Sequence, residues 1–118
     1  MGNSIPQADF ALETYTLGLL VKGDRFDELA PERIAELSQA HLAYMLGLRA
    51  GGQVLAAGAV RQEVGDGAVR GIGFYAVPPE QAERLAEQDP AVRAGLFKLE
   101  AFTFIGPEGG IAFPLQGK

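Results

Sequence analysis

The chain has no cysteine, a single histidine, an excess of acidic over basic side chains and no long apolar run. Each absence removes a class of function. Without cysteine there is no disulfide framework, no thiolate nucleophile and no thiolate metal site, and with His41 as the lone histidine one subunit cannot build a multi-histidine metal centre. The 15 acidic and 10 basic residues leave a formal net charge of −5, which argues against the basic face that a nucleic-acid binder turns to phosphates. A spanning helix needs about 20 consecutive apolar residues, and none is present. The start MGNSIPQADFALE has neither the basic nor the apolar region of a secretion signal. The expectation is a cytoplasmic protein with no metal, no membrane and no nucleic-acid partner.

What is present is a globular composition, 47% hydrophobic and 21% charged over 118 residues, with 16 glycines that point to tight turns and close backbone approaches. That length suits one domain. Residues 1–13 lack a sustained period and are expected to be a flexible extension. From Thr14 the pattern TYTLGLLV alternates, Tyr15, Leu17, Leu19 and Val21 against Thr14, Thr16, Gly18 and Leu20, as a strand does. Pro31 and Glu32 suit the first turn of a helix, where a missing N–H is harmless and a carboxylate meets the positive end of the dipole. Ile34, Leu37, His41, Tyr44, Met45 and Leu48 then recur at steps of three and four along one stripe, and Arg49 with Gly51–Gly52 ends the helix.

QVLAAGAV follows as a strand with small side chains, so something is able to approach it closely. VRGIGFYAV is a further strand, paired to it as a hairpin across Gly65-Asp66-Gly67. A second helix opens at Pro79 and ends near Asp89, because the residue before Pro90 disfavours helical geometry. A short turn leads to KLEAFTFI, the last strand, and residues 106–118 form a tail.

Strand, helix, strand, strand, helix, strand is the split βαβ order of a ferredoxin-like α+β fold, with a four-stranded antiparallel sheet and both helices on one face, over residues 14–105. The strands are apolar on both faces, Leu19 beside Leu20, Phe74 beside Tyr75, Phe104 beside Ile105. A second apolar face needs a cover, and the expected cover is a second copy of the chain, as a homodimer with sheet against sheet.

Few residues offer chemistry. His41 is either a core histidine with satisfied ring nitrogens or a general base or acid, the work most often given to histidine. Asp89, at the end of the second helix on the same side of the sheet, is the carboxylate to orient it, although Asp-Pro is also an ordinary turn. Tyr44, one turn beyond His41, is a candidate ligand donor that equally suits packing. Gly58, in the small-residue strand, is a candidate wall of the substrate site. No phosphate-binding glycine loop, serine elbow or helical zinc-protease motif is present.

Ala40-His41-Leu42, then Gly51-Gly52-Gln53-Val54-Leu55-Ala56-Ala57-Gly58, then DPAVRAGLF from Asp89 to Phe97, taken together and in this order, resemble the YciI-like (YCII-related) proteins, small dimeric α+β barrels of the ferredoxin-like group. The resemblance runs from about Thr14 to Ile105. It implies an active site with a histidine and an aspartate, which map onto His41 and Asp89. The chain departs from the pattern at Ser38, where many relatives carry an arginine that suits an anionic substrate, and at Ala59, where many carry proline.

Residues and resemblance together lead to an expectation of a cofactor-independent enzyme performing acid–base chemistry, of lyase or isomerase type, on a small cyclic or aromatic molecule. The alternative is a non-catalytic dimeric module that binds a small molecule or a partner.

Overall fold

The computed structural model of the chain describes residues 11–113; residues 1–10 and 114–118, parts of the expected extension and tail, lie outside the described residues. The elements are β1 (Leu12–Lys22), α1 (Pro31–Ala50), β2 (Val54–Ala59), β3 (Val69–Tyr75), α2 (Pro79–Ala86), α3 (Pro90–Arg93) and β4 (Phe97–Pro107). The four strands form one sheet in the order β2-β3-β1-β4, antiparallel at every pairing. This is the expected ferredoxin-like arrangement, with α3 as a short addition in the connection to β4.

Local chemistry sets the boundaries. Pro31 occupies the first turn of α1, and its last turn is closed by the Gly51 N–H donating to the Gly47 carbonyl and the Gly52 N–H to the Arg49 carbonyl. Gly52 takes a left-handed φ of 81°, which glycine adopts without steric cost. α2 stops at Ala86, and Asp89 then caps α3 by accepting the N–H of Ala91. Gly23 and Gly95 let two backbones touch: a Cβ on Gly23 would lie 2.3 Å from the Gly95 carbonyl oxygen. Their contact ties the end of β1 to the start of β4.

The central strand β1 and the edge strand β4 both run further than the alternation indicates. β1 begins at Leu12 and β4 ends at Pro107, because Leu12 pairs with Pro107 and Glu13 with Gly106. Glu13 also accepts the N–H of Gly109 at 3.0 Å, and Phe113 stacks edge-on against Tyr15 with ring centroids 5.2 Å apart. Parts of the segments expected to be a flexible extension and a tail therefore belong to the sheet or rest on it.

The register assigns the faces. Thr16, Gly18 and Leu20 of β1 share a face with Tyr75, Gly73 and Gly71 of β3 and with Thr103, Ala101 and Leu99 of β4. This lighter face meets the helices, where Leu48, Val54, Tyr75 and Ala82 form one buried cluster with Tyr44, Met45, Leu85 and Leu99 packed around it. The ring of Tyr75 takes the room: a Cβ on Gly18 would approach its Cε1 to 2.8 Å and Leu99 Cδ1 to 2.9 Å. A register shift between Leu20 and Val21 leaves Arg70 of β3 without a partner on β1. A second cluster, Leu37, Ala91 and Leu96, joins the first half of α1 to α3 and β4. Burying a leucine such as Leu96 fully stabilises by about 1.5–3 kcal/mol. Along α1, His41 falls between the residues of the two clusters.

Candidate functional site

α1 presents His41 and the cap of α3 presents Asp89, and packing Leu37 against Ala91 brings the two together. His41 Nδ1 lies 2.5 Å from Asp89 Oδ2, while Asp89 Oδ1 accepts the Ala91 N–H at 2.9 Å. The two roles weighed for Asp89 are thus held at once, one by each carboxylate oxygen. Asp89 is 2% exposed. An ionised carboxylate only accepts, so Nδ1 carries the proton in this bond. The imidazole is held further by Phe97, edge-on with ring centroids 5.4 Å apart.

His41 also lines a cavity of about 670 Å³, and Asp89 does not. With Nδ1 bonded to Asp89, Nε2 is the ring nitrogen left for a further partner. Between α1 and the sheet the cavity exists because the strands beneath it are thinly clad: Gly18, Gly71, Gly73, Ala57 and Ala59 all line it. Leu20, Met45, Val54, Phe97 and Leu99 make most of the remaining wall apolar, as ligand sites usually are. Leu42 and Leu46 also line it and are 54% and 57% exposed.

The other candidates separate. Gly58 lines the cavity, and a Cβ built there meets nothing within 4 Å, so packing inside the chain does not require its glycine. Tyr44 does not line the cavity; its hydroxyl donates to the Leu85 carbonyl at 2.6 Å, tying α1 to α2. Its expected place as a ligand donor is taken by this backbone bond, which arises only when the two helices pack. Burial, with the Asp89 charge beside it, raises the Tyr44 phenol above its ordinary value.

Two lining residues carry more than the sequence indicates. Tyr75 looks like an ordinary strand residue, but it lines the cavity, and burial, then Asp89, then Tyr44 push its phenol up to about 12. It stays a neutral O–H donor across the physiological range. Arg49, read only as part of the end of α1, lines the cavity with its Nε buried and without a hydrogen-bond partner among the described residues. Leaving a charged group's donor unsatisfied costs more than the roughly 1–3 kcal/mol of a neutral one. Ser38, on the same helix, also lines the space. Among the described residues no cluster of three or more histidine, cysteine, aspartate or glutamate side chains is placed to hold a metal ion, and no helix is long and apolar enough to cross a membrane.

The sheet, its one-sided helices and the half-open cavity define an α+β protein of the ferredoxin-like class with a candidate small-molecule site. The family model of the YCII-related domain matches residues 17–104, and the chain belongs to that family. A search of the curated proteins finds no match. Among solved structures the chain is similar to the 5-chloro-2-hydroxyhydroquinone dehydrochlorinase of Burkholderia phenoliruptrix, in complex with 2,5-dihydroxybenzoquinone, at 22% identity and a TM-score of 0.48, covering 76% of this chain and 90% of that one. That likeness is too distant to carry an activity across.

Proposed function

We propose that the chain is a small-molecule enzyme that moves protons on a cyclic or aromatic compound, by chemistry of lyase or isomerase type, with His41 as general base or acid and Asp89 as its positioning residue. One observation carries this reading: the lone histidine is anchored through Nδ1 to a buried carboxylate while its ring lines a largely apolar cavity. With Nδ1–H fixed by Asp89, Nε2 is free to take a proton from a ligand. The imidazolium that results is stabilised by the same carboxylate, and Nε2 returns the proton to another atom of the ligand or to a leaving group. Such a positioned group contributes about 10²–10⁴-fold to rate.

The functional unit under this proposal is a homodimer. Leu17, Leu19, Ile72, Phe74, Phe102 and Phe104 face away from the helices, and Ile72 and Phe102 are among the exposed large hydrophobics. A second copy covers them. The competing reading, a non-catalytic binding module, draws support from Tyr75, whose phenol, pushed up to about 12, is a poor partner for proton transfer at neutral pH.

The test is a panel of halogenated hydroquinones, hydroxybenzoquinones and cyclic enones followed by proton NMR in D2O, which reads both elimination and C–H exchange. Wild type is expected to turn over at least one class, and His41→Ala to lose 10²–10⁴-fold while still binding it. Binding without turnover in wild type rejects the enzyme reading in favour of the binding module, and turnover undiminished in His41→Ala rejects His41 as the general base or acid.

A further inference from the structure

The charges around the cavity oppose the charge of the chain. The protein carries a net −5, yet Arg49, Arg61 and Arg70 line the cavity and no aspartate or glutamate does so among the described residues. We infer that the ligand is an organic carboxylate on a cyclic or aromatic body, with its carboxylate seated against Arg49.

The three arginines are not equally free. Arg61 lies 3.8 Å from Glu63, and both side chains are largely exposed, so the pair holds it weakly. Arg70 stands over the Phe26 ring at 5.2 Å from its centroid, opposite to no carboxylate, and a guanidinium stacked on a ring keeps its N–H edge for other acceptors. The register shift between Leu20 and Val21 falls beside Arg70 and re-aims that stretch of β3. Arg49 is the sharpest case. It forms no ion pair and no side-chain hydrogen bond among the described residues, and its Nε is the buried side-chain nitrogen left without a partner. A place in the last turn of α1 favours its charge but supplies no acceptor for Nε–H. A planar, bidentate acceptor is what a guanidinium fork with an orphaned Nε–H fits, and a carboxylate has that shape.

The spacing sets the size of the body. His41 and Arg49 are two turns and a fraction apart on α1, about 12 Å of rise, and both line the cavity. That span suits a body of one ring or two fused rings, with the carboxylate at Arg49 and the reacting carbon near Nε2. The apolar wall of Leu20, Met45, Val54 and Leu99 lies between. This inference rests on the proposed reading of the cavity as a small-molecule site and adds the charge and polarity of what enters it.

Three acid–amide pairs test it: benzoate and benzamide, salicylate and salicylamide, 2-naphthoate and 2-naphthamide. Calorimetry gives the affinities in wild type, and the His41 ring resonances report whether each probe enters the cavity. The expected result is that at least one acid binds tenfold or more tightly than its amide. Arg49→Met should remove that preference by weakening the acid alone, and Arg49→Lys should keep part of it. Acids and amides that bind alike in the cavity overturn the inference while the small-molecule reading stands. A preference that survives Arg49→Met in a variant of unchanged circular dichroism overturns the assignment to Arg49. If no probe perturbs His41, both the inference and the cavity reading fall.

Discussion

The two faces of one sheet are built to opposite specifications. Towards the helices the strands present Gly18, Gly71, Gly73, Ala57 and Ala59, and the room left over becomes the cavity. Away from the helices the same strands present Leu17, Leu19, Ile72, Phe74, Phe102 and Phe104, where Tyr15, Phe74, Phe104 and Phe113 stack on one another with centroids 5.2–6.2 Å apart. Hydrophobicity alone does not distinguish the faces; side-chain volume does. Small residues beneath a helix leave a space for a ligand, whereas large ones on an open face leave a surface that asks for a partner.

The outer face gives way most under substitution. Phe102 is 46% exposed in the single chain, and under the homodimer proposal it is buried between two sheets. Phe102→Asp places an unpaired carboxylate there, at a cost of several kcal/mol, so the dimer dissociation constant should rise by about 10²-fold or more. Sedimentation should show dimers for wild type and monomers for the variant. A wild-type chain that sediments as a monomer removes the contrast between the faces as an explanation of the apolar surface.

On the helix side the corresponding probe is Tyr75. Its phenol is pushed up to about 12 from an ordinary 10.0, with burial the largest cause. Because the folded state holds this proton more tightly than the unfolded state, the stabilisation is complete below pH 10 and is lost as pH rises through 12. The loss amounts to about 3 kcal/mol. Urea denaturation across that window should show wild type falling more steeply than Tyr75→Phe by roughly this amount. Parallel curves for the two proteins contradict a Tyr75 held in a desolvated site beside Asp89.

Much of this architecture is legible in the chain itself because its signals are local. Strand alternation, Pro31 at the helix start, the glycine stop at Gly51–Gly52 and the Asp89-Pro90 break are each settled within a few residues. The order of elements puts His41 and Asp89 on one side of the sheet, but their contact across 48 residues comes from the packing of Leu37 on Ala91. What is not legible depends on tertiary partners. The alternation in β1 does not say that the lighter Thr16–Gly18 face meets the helices, because the ring that fills it is Tyr75, far along the chain. Nothing near Tyr44 announces that its hydroxyl will find the Leu85 carbonyl. Arg49 looks like part of a helix end until the cavity beside it and the unpaired Nε are visible together.

The central claim is that Asp89 fixes His41 as an Nδ1–H imidazole with Nε2 turned to the cavity, and nitrogen NMR of the single histidine ring tests it most directly, in wild type and Asp89→Asn. The Ala91 N–H requires an oxygen acceptor, so in the variant the amide oxygen keeps the cap and the amide NH2 faces Nδ1. The ring should then move its proton from Nδ1 to Nε2 with the fold intact. The account predicts a neutral wild-type ring protonated at Nδ1, an Asp89→Asn ring protonated at Nε2, and a ligand response at Nε2 in wild type. A wild-type ring that already carries its proton on Nε2, or one indifferent to both Asp89 and ligand, would contradict it.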